Sequence, residues 1–175
     1  MIFSILAFLA LLVSICIKNR KKSLLVQALN CFFEATYNFI ICAYTGAYLS
    51  IINIIRTCIF INKDKFNKIA YLLILIVFWG IIIINCTFTW AGWISLLPTI
   101  GTLIRTYCLW QSNMKLVRFS GITTGLLYGL YYIYYKSWFM ALGDLVLLIV
   151  AIFSIYNNDI KLKDKNNIFI KENNI

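Results

Sequence analysis

Seven apolar runs, each long enough to cross a lipid bilayer and each parted from the next by only a few residues, take up most of the chain. They lie at about 1–17, 23–43, 45–62, 69–87, 92–110, 115–135 and 137–156. A hydrocarbon core about 30 Å thick is spanned by roughly 17–25 helical residues, so each run is one crossing. Lipid offers the backbone no hydrogen-bond partner, and the runs lack the alternating polarity of barrel strands, so they are expected to be helices. Hydrophobic residues make up 62% of the chain and charged ones 13%. Soluble domains average about 45–50% and 25%, which excludes a water-soluble fold. Six crossings is the alternative if the tight breaks near Tyr44 or Lys136 mark re-entrant segments.

The net charge of +10 would suggest nucleic-acid binding only if the basic residues shared a face. Instead they fall in the breaks, where Lys and Arg mark cytoplasmic loops. With seven crossings, one side carries Lys18, Arg20, Lys21, Lys22, Lys63, Lys65, Lys68, Lys115 and Arg118. It also carries the tail residues Lys161, Lys163, Lys165 and Lys171, with Arg56 and Arg105 snorkelling toward it. The other side carries Lys136. The amino terminus is therefore expected outside and the carboxyl terminus in the cytoplasm, and nucleic acid is not an expected partner. The first run has no basic stretch before it and no small-residue cleavage site, so it reads as a retained helix. The tail, 157–175, is too polar to bury a core and reads as a flexible cytoplasmic end.

Trp90, Trp93, Trp138, Tyr131, Tyr132, Tyr134 and Tyr135 fall near the outer boundary, and Trp110 and Tyr156 near the inner one, as an interfacial belt. Cys16, Cys31, Cys42, Cys58, Cys86 and Cys108 have no paired short spacing and the chain has no histidine. They read as packing residues, and neither a metal nor another cofactor is expected. Pro98, the sole proline, falls in the fifth run and reads as a fixed bend or a hinge.

Shifting the sequence by about 91 residues lays runs one to three on runs five to seven, leaving the fourth between them. Tyr37 then meets Tyr128, Tyr44 meets Tyr135 and Asn53 meets Asp144. Both copies begin on the same side, so the expected fold is all-α: seven transmembrane helices in a 3+1+3 arrangement of two parallel three-helix repeats. The divisions are 1–62, a linker helix within 63–91, 92–156 and the tail.

Polar residues inside the runs are the candidate site. Asn30, Glu34 and Asn38 are four apart and share a face of the second helix. Glu34 lies about 18 Å from the cytoplasmic end at 1.5 Å per residue, where a carboxyl is costly unless water or a partner answers it. Gly121, Gly125 and Gly129 are also four apart and read either as a packing face or as a smooth solute path. Asn53 and Asp144 lie mid-run and read as a paired midplane site or as separate interhelical hydrogen bonds. No phosphate-loop or nucleophile motif occurs, and an enzyme is not expected.

The 3+1+3 plan, the outward amino terminus and the Asn53/Asp144 pair resemble the SWEET and PQ-loop superfamily of small-solute transporters. Within it the chain is similar to YgjV-type bacterial inner membrane proteins, chiefly through LLPTIGTLIRTYCLWQSNMKLVRFSG and WFMALGDLVLLIVAIF. That resemblance implies a multi-pass inner membrane protein carrying a small polar solute at Asn53 and Asp144, and the polar face of the second helix adds Glu34, Asn30 and Asn38 to the expected site. The alternative is a non-transporting scaffold or helper subunit, with an intramembrane enzyme third; a homo-oligomer is left open. For topology, a membrane-impermeant maleimide on intact cells is expected to label Lys136→Cys and to label Lys63→Cys only after permeabilisation, in a background free of native cysteines. Labelling of both from one face would overturn the odd number of crossings.

Overall fold

The computed structural model describes residues 2–16, 20–61, 67–111 and 114–156. The basic positions Lys18, Lys63 and Lys65 and the whole tail lie outside the described residues. Of Arg20, Lys21, Lys68, Lys115 and Arg118 the backbone is described. The described residues form seven α-helices: α1 (Ile2–Cys16), α2 (Arg20–Ile40), α3 (Tyr44–Ile61), α4 (Lys68–Phe88), α5 (Leu96–Gln111), α6 (Met114–Tyr134) and α7 (Trp138–Ile155). One 3-10 turn, Trp93–Ser95, leads into α5. The helices fall on the seven apolar runs, as those runs predict.

The arrangement of polarity is inverted relative to a soluble fold. Large apolar side chains stand exposed along all seven helices, at Leu6, Leu9 and Val13 of α1, Leu72, Leu73, Ile76 and Val77 of α4, and Leu142, Leu145 and Ile149 of α7. Ser4, Asn38, Ser50, Asn53, Arg56, Thr102, Thr106 and Thr124 are buried. Water would not tolerate so continuous an apolar surface, whereas lipid favours it. By length and composition, Tyr44–Ile61 and Ile69–Phe88 are the two described segments that qualify as spans. The rest fall short for physical reasons. The helices α1 and α5 have 15 and 16 residues. In α7 the described apolar stretch is Trp138–Phe153, also too short, whereas α2 and α6 carry polar residues that face inward: Gln27, Asn30, Glu34 and Asn38 on α2, and Thr124, Tyr128 and Tyr132 on α6.

Neighbouring helices pack in chain order, α1 on α2, α2 on α3, α5 on α6 and α6 on α7. The helix α4 packs on α3 and α5, α3 touches α5, and α1 meets α7, which closes a ring. Helix bounds recur at a spacing of 94 residues: α1, α2 and α3 open at 2, 20 and 44, and α5, α6 and α7 at 96, 114 and 138. The two tight turns have the same hydrogen bonds at that spacing. Ala43 N–H reaches Asn38 O at 2.9 Å and Cys42 N–H reaches Phe39 O at 3.2 Å. Ser137 N–H reaches Tyr132 O at 2.9 Å and Lys136 N–H reaches Ile133 O at 3.0 Å. Each is a Schellman cap with its left-handed residue at Cys42 (φ 57°) or Lys136 (φ 54°).

This spacing corrects the expected shift of about 91. At 94, Asp144 stands opposite Ser50 and Asn53 opposite Leu147, so Asn53 and Asp144 are not equivalent positions. Helix caps set the register, and the few tyrosine identities that favoured 91 are coincidences of composition.

Four further expectations change. Tyr131 and Tyr132 are not part of an interfacial belt: both are buried in a cluster with Ala7, Ala43, Tyr128 and Met140, whereas Trp90, Trp93, Tyr134 and Trp138 are exposed. Pro98 sits in the first turn of α5, where its missing N–H removes no bond within that helix, so it is neither hinge nor bend. The glycine stripe of α6 packs against α7 and does not line a path. A Cβ on Gly125 would stand 2.8 Å from Asp144 O, one on Gly121 would meet Ala151 Cβ at 3.1 Å, and one on Gly129 has room at 3.7 Å from Asp144 Cβ. Arg56 is buried, not snorkelling. Cys31, Cys86 and Cys108 are buried and Cys42 and Cys58 exposed, and none of these five is in a disulfide.

The glycine contacts give a paired test. Gly125→Ala should lower stability by about 1–3 kcal/mol, the range for overpacking. Gly129→Ala should stay within about 0.5 kcal/mol of the parent, as substitutions away from tight contacts do. Denaturant unfolding in detergent micelles measures both, and equal costs at the two sites would overturn the close α6–α7 approach.

Candidate functional site

A cavity of about 70 Å³ lies inside the ring, lined from α1, α2, α3, α5, α6 and α7. Asn30, Glu34, Asn53 and Asp144 line it, so four of the five residues singled out in the sequence come together. Asn38, the fifth, is fully buried beside it and does not line it. Its amide acts at one remove: Asn38 Nδ2 donates to Tyr132 Oη at 3.0 Å, and Tyr132 O–H donates to Glu34 Oε1 at 2.6 Å. The chain Asn38–Tyr132–Glu34 joins α2 to α6 and fixes where the carboxyl points.

The residues that sequence reasoning missed are on α5 and α6 and the lower part of α3. Arg56, Arg105, Thr102, Thr124, Tyr128 and Tyr132 all line the cavity. The signal for three of them was present. At the spacing of 94, Asn30, Glu34 and Asn38 stand opposite Thr124, Tyr128 and Tyr132, so both helices turn an i, i+4, i+8 polar ridge toward the same space. A shift of 91 laid glycines on that ridge and hid it.

Hydrogen bonds hold the lining in place. Tyr128 Oη and Thr102 Oγ1 are 2.5 Å apart, joining α6 to α5. Arg56 Nη1 donates to Thr106 Oγ1 at 2.7 Å, joining α3 to α5. Threonine hydroxyls on α5 are satisfied along their own helix, Thr102 donating to Pro98 O at 2.8 Å and Thr106 to Thr102 O at 2.7 Å. Three buried polar atoms of the lining, Asp144 Oδ2, Asn53 Oδ1 and Arg56 Nε, have no hydrogen-bond partner among the described residues. Buried polar atoms are as a rule answered, so these three are the place where a bound solute or water would act.

One end of the molecule gathers both tight turns and the α4–α5 connection. Tyr131 Oη accepts from Gly46 N–H at 3.1 Å and donates to Ala43 O at 3.4 Å. Thr45 O–H meets Thr89 O at 2.8 Å and Ser95 Oγ at 3.2 Å. Distances along the helices from this end follow from 1.5 Å per residue. Glu34 and Asp144 each stand six residues in, about 9 Å; Asn53 and Arg105 about 14 Å; Arg56 about 18 Å. The carboxyls thus lie nearer the turn end and the guanidinium groups deeper. A second groove, about 330 Å³ between α3 and α4, is lined by apolar residues such as Ile55, Ile59, Leu73 and Val77 and offers no polar group to orient a solute.

The Tyr132 hydroxyl answers a buried amide and a half-buried carboxyl at once. Tyr132→Phe should therefore cost about 1–3 kcal/mol, the penalty for a buried polar group left without its partner. Thermal unfolding in detergent measures this, and the cost should shrink when Asn38→Leu is already present. Additive costs in the double variant would remove the Asn38–Tyr132 link.

No curated protein and no solved structure matches the chain significantly. The profile of one family, Imp-YgjV, described as bacterial inner membrane protein, matches residues 1–161. A match over nearly all of the apolar chain, together with the inverted polarity of the fold, leads to one conclusion: this chain belongs to the Imp-YgjV family of bacterial inner membrane proteins.

Proposed function

We propose that the chain is a multi-pass carrier of a small polar solute, built as two parallel three-helix repeats about a linker helix in the manner of the SWEET and PQ-loop superfamily. The observation that carries this reading is the internal cavity, lined from both triplets and holding buried polar atoms that the protein itself leaves unanswered. The common spacing of 94 residues and the gathering of both tight turns at one end support a repeat related by an axis along the membrane normal. In this reading α4 is the linker, and all seven helices cross with the amino terminus outside and the carboxyl terminus in the cytoplasm. The shorter helices are long enough for the bundle because their inner faces meet protein and cavity, not lipid.

The carrier works by rocking of α1–α3 against α5–α7. Glu34 and Asn53 come from the first triplet and Asp144 from the second, so a solute held between them feels both. No bond is made or broken in the solute, and no metal or cofactor takes part. The surrounding partner is the bilayer.

Purified protein in proteoliposomes tests this by solute counterflow. Asp144→Ala should abolish the flux of any solute the parent carries, because it removes the second triplet's carboxyl from the cavity. Full flux through Asp144→Ala would remove Asp144 from the site. Absence of flux for every solute tried, with stoichiometric co-purification of another membrane protein, would install the scaffold or helper-subunit reading instead.

A further inference from the structure

Two carboxyls and two guanidinium groups line one small cavity, and their placement is ordered. Glu34 and Asp144, from α2 and α7, stand at one level, about 9 Å below the turn end. Arg105 and Arg56, from α5 and α3, stand about 14 and 18 Å below it. With all four ionised the lining sums to zero charge, yet it is divided into a negative level and a positive one.

The protein does not cancel that division internally. Glu34 is held by Tyr132 and Arg56 by Thr106, both through neutral hydroxyls. Among the described residues, Asp144 Oδ2 and Arg56 Nε are left without a hydrogen-bond partner. Buried charge is tolerated when it is paired and hydrogen-bonded, and is costly otherwise. A solute with one charge answers one level and leaves the other exposed to a low dielectric. An uncharged sugar answers neither charge. A solute with a cation at one end and an anion at the other answers both.

Size narrows the class. A buried water needs about 10–15 Å³ of such volume, so a cavity of about 70 Å³ holds on the order of five to seven non-hydrogen atoms. Glycine and alanine fall within this range; sugars do not. We propose that the cavity binds a small amino-acid zwitterion, its ammonium held by Glu34 and Asp144 and its carboxylate by Arg56 and Arg105. A planar guanidinium meets a carboxylate with paired N–H groups, and an ammonium donates to both carboxyls and to Asn53 Oδ1, which is otherwise unanswered. This assignment of substrate class rests on the carrier reading for its biological use, but the binding site itself does not need it.

The test separates the two. The full chain in detergent micelles is titrated with glycine, alanine, acetate, methylammonium and glucose, with thermal stability and calorimetry as readouts. Glycine or alanine should stabilise the folded protein, and acetate and methylammonium, each half of the zwitterion, should bind at least tenfold more weakly. Glucose should not bind. These comparisons use the unaltered protein and so do not depend on any variant folding. Asp144→Asn and Arg56→Gln should each weaken glycine binding by roughly 30-fold or more, the effect of removing one partner from a buried charge pair.

Acetate or glucose binding as well as glycine, or no binding of either amino acid, would overturn the assignment. Radiolabelled glycine counterflow in proteoliposomes is the second arm. Binding without flux keeps the zwitterion site and removes the carrier. Flux of an uncharged solute without glycine binding does the reverse.

Discussion

A carboxyl, amide or guanidinium inside a bilayer has no water to turn to, so each must be answered by another part of the protein or by something the protein encloses. That requirement organises this chain more than helix propensity does. It sends Glu34, Asn53, Arg56 and Asp144 to one interior space, turns the threonines of α5 back on their own carbonyls, and leaves leucine, isoleucine and phenylalanine for the outer surface. The ring closes because the polar faces have only one another to meet. Packing between apolar surfaces contributes little to that choice, since lipid tails suit those surfaces equally well.

Helix α6 does most of the joining. Tyr128 reaches α5, Tyr131 the backbone at Ala43 and Gly46, and Tyr132 both Asn38 and Glu34. Tyr128, Tyr131 and Tyr132 reach three neighbours because steps of three and one residue turn them to different directions around α6, and their long side chains cross the gap between helices. Gly46 is a condition of this arrangement: a Cβ there would stand 2.9 Å from Asn38 Nδ2 and 3.1 Å from the Tyr131 hydroxyl. Two turns before Tyr128 and Tyr132, on nearly the same side, α6 presents Gly121 and Gly125 to α7, which brings the Asp144 backbone close.

Seven helices and their approximate bounds were legible because long apolar runs broken by charge have few other readings. The polar ridge of α2 was legible for the same reason, since Glu34 within an apolar run stands out. The 94-residue spacing at which helix bounds and turns recur was not, because the turns rest on left-handed caps at Cys42 and Lys136, and neither cysteine nor lysine is a residue that announces a left-handed turn. Tyr131, Tyr132 and Trp138 looked alike in sequence because interfacial and interior aromatics have the same composition, and only the helix face separates them. Arginines near helix ends were likewise read as reaching outward, whereas Arg56 turns in to Thr106.

The bonds made by Tyr131, Thr45 and Asn38 crowd the end where the two tight turns meet, and Arg56 to Thr106 ties α3 to α5 about 18 Å from that end. A solute that reached the deeper level of the cavity would meet Arg56, whose guanidinium would have to release the Thr106 hydroxyl before it could turn to the newcomer.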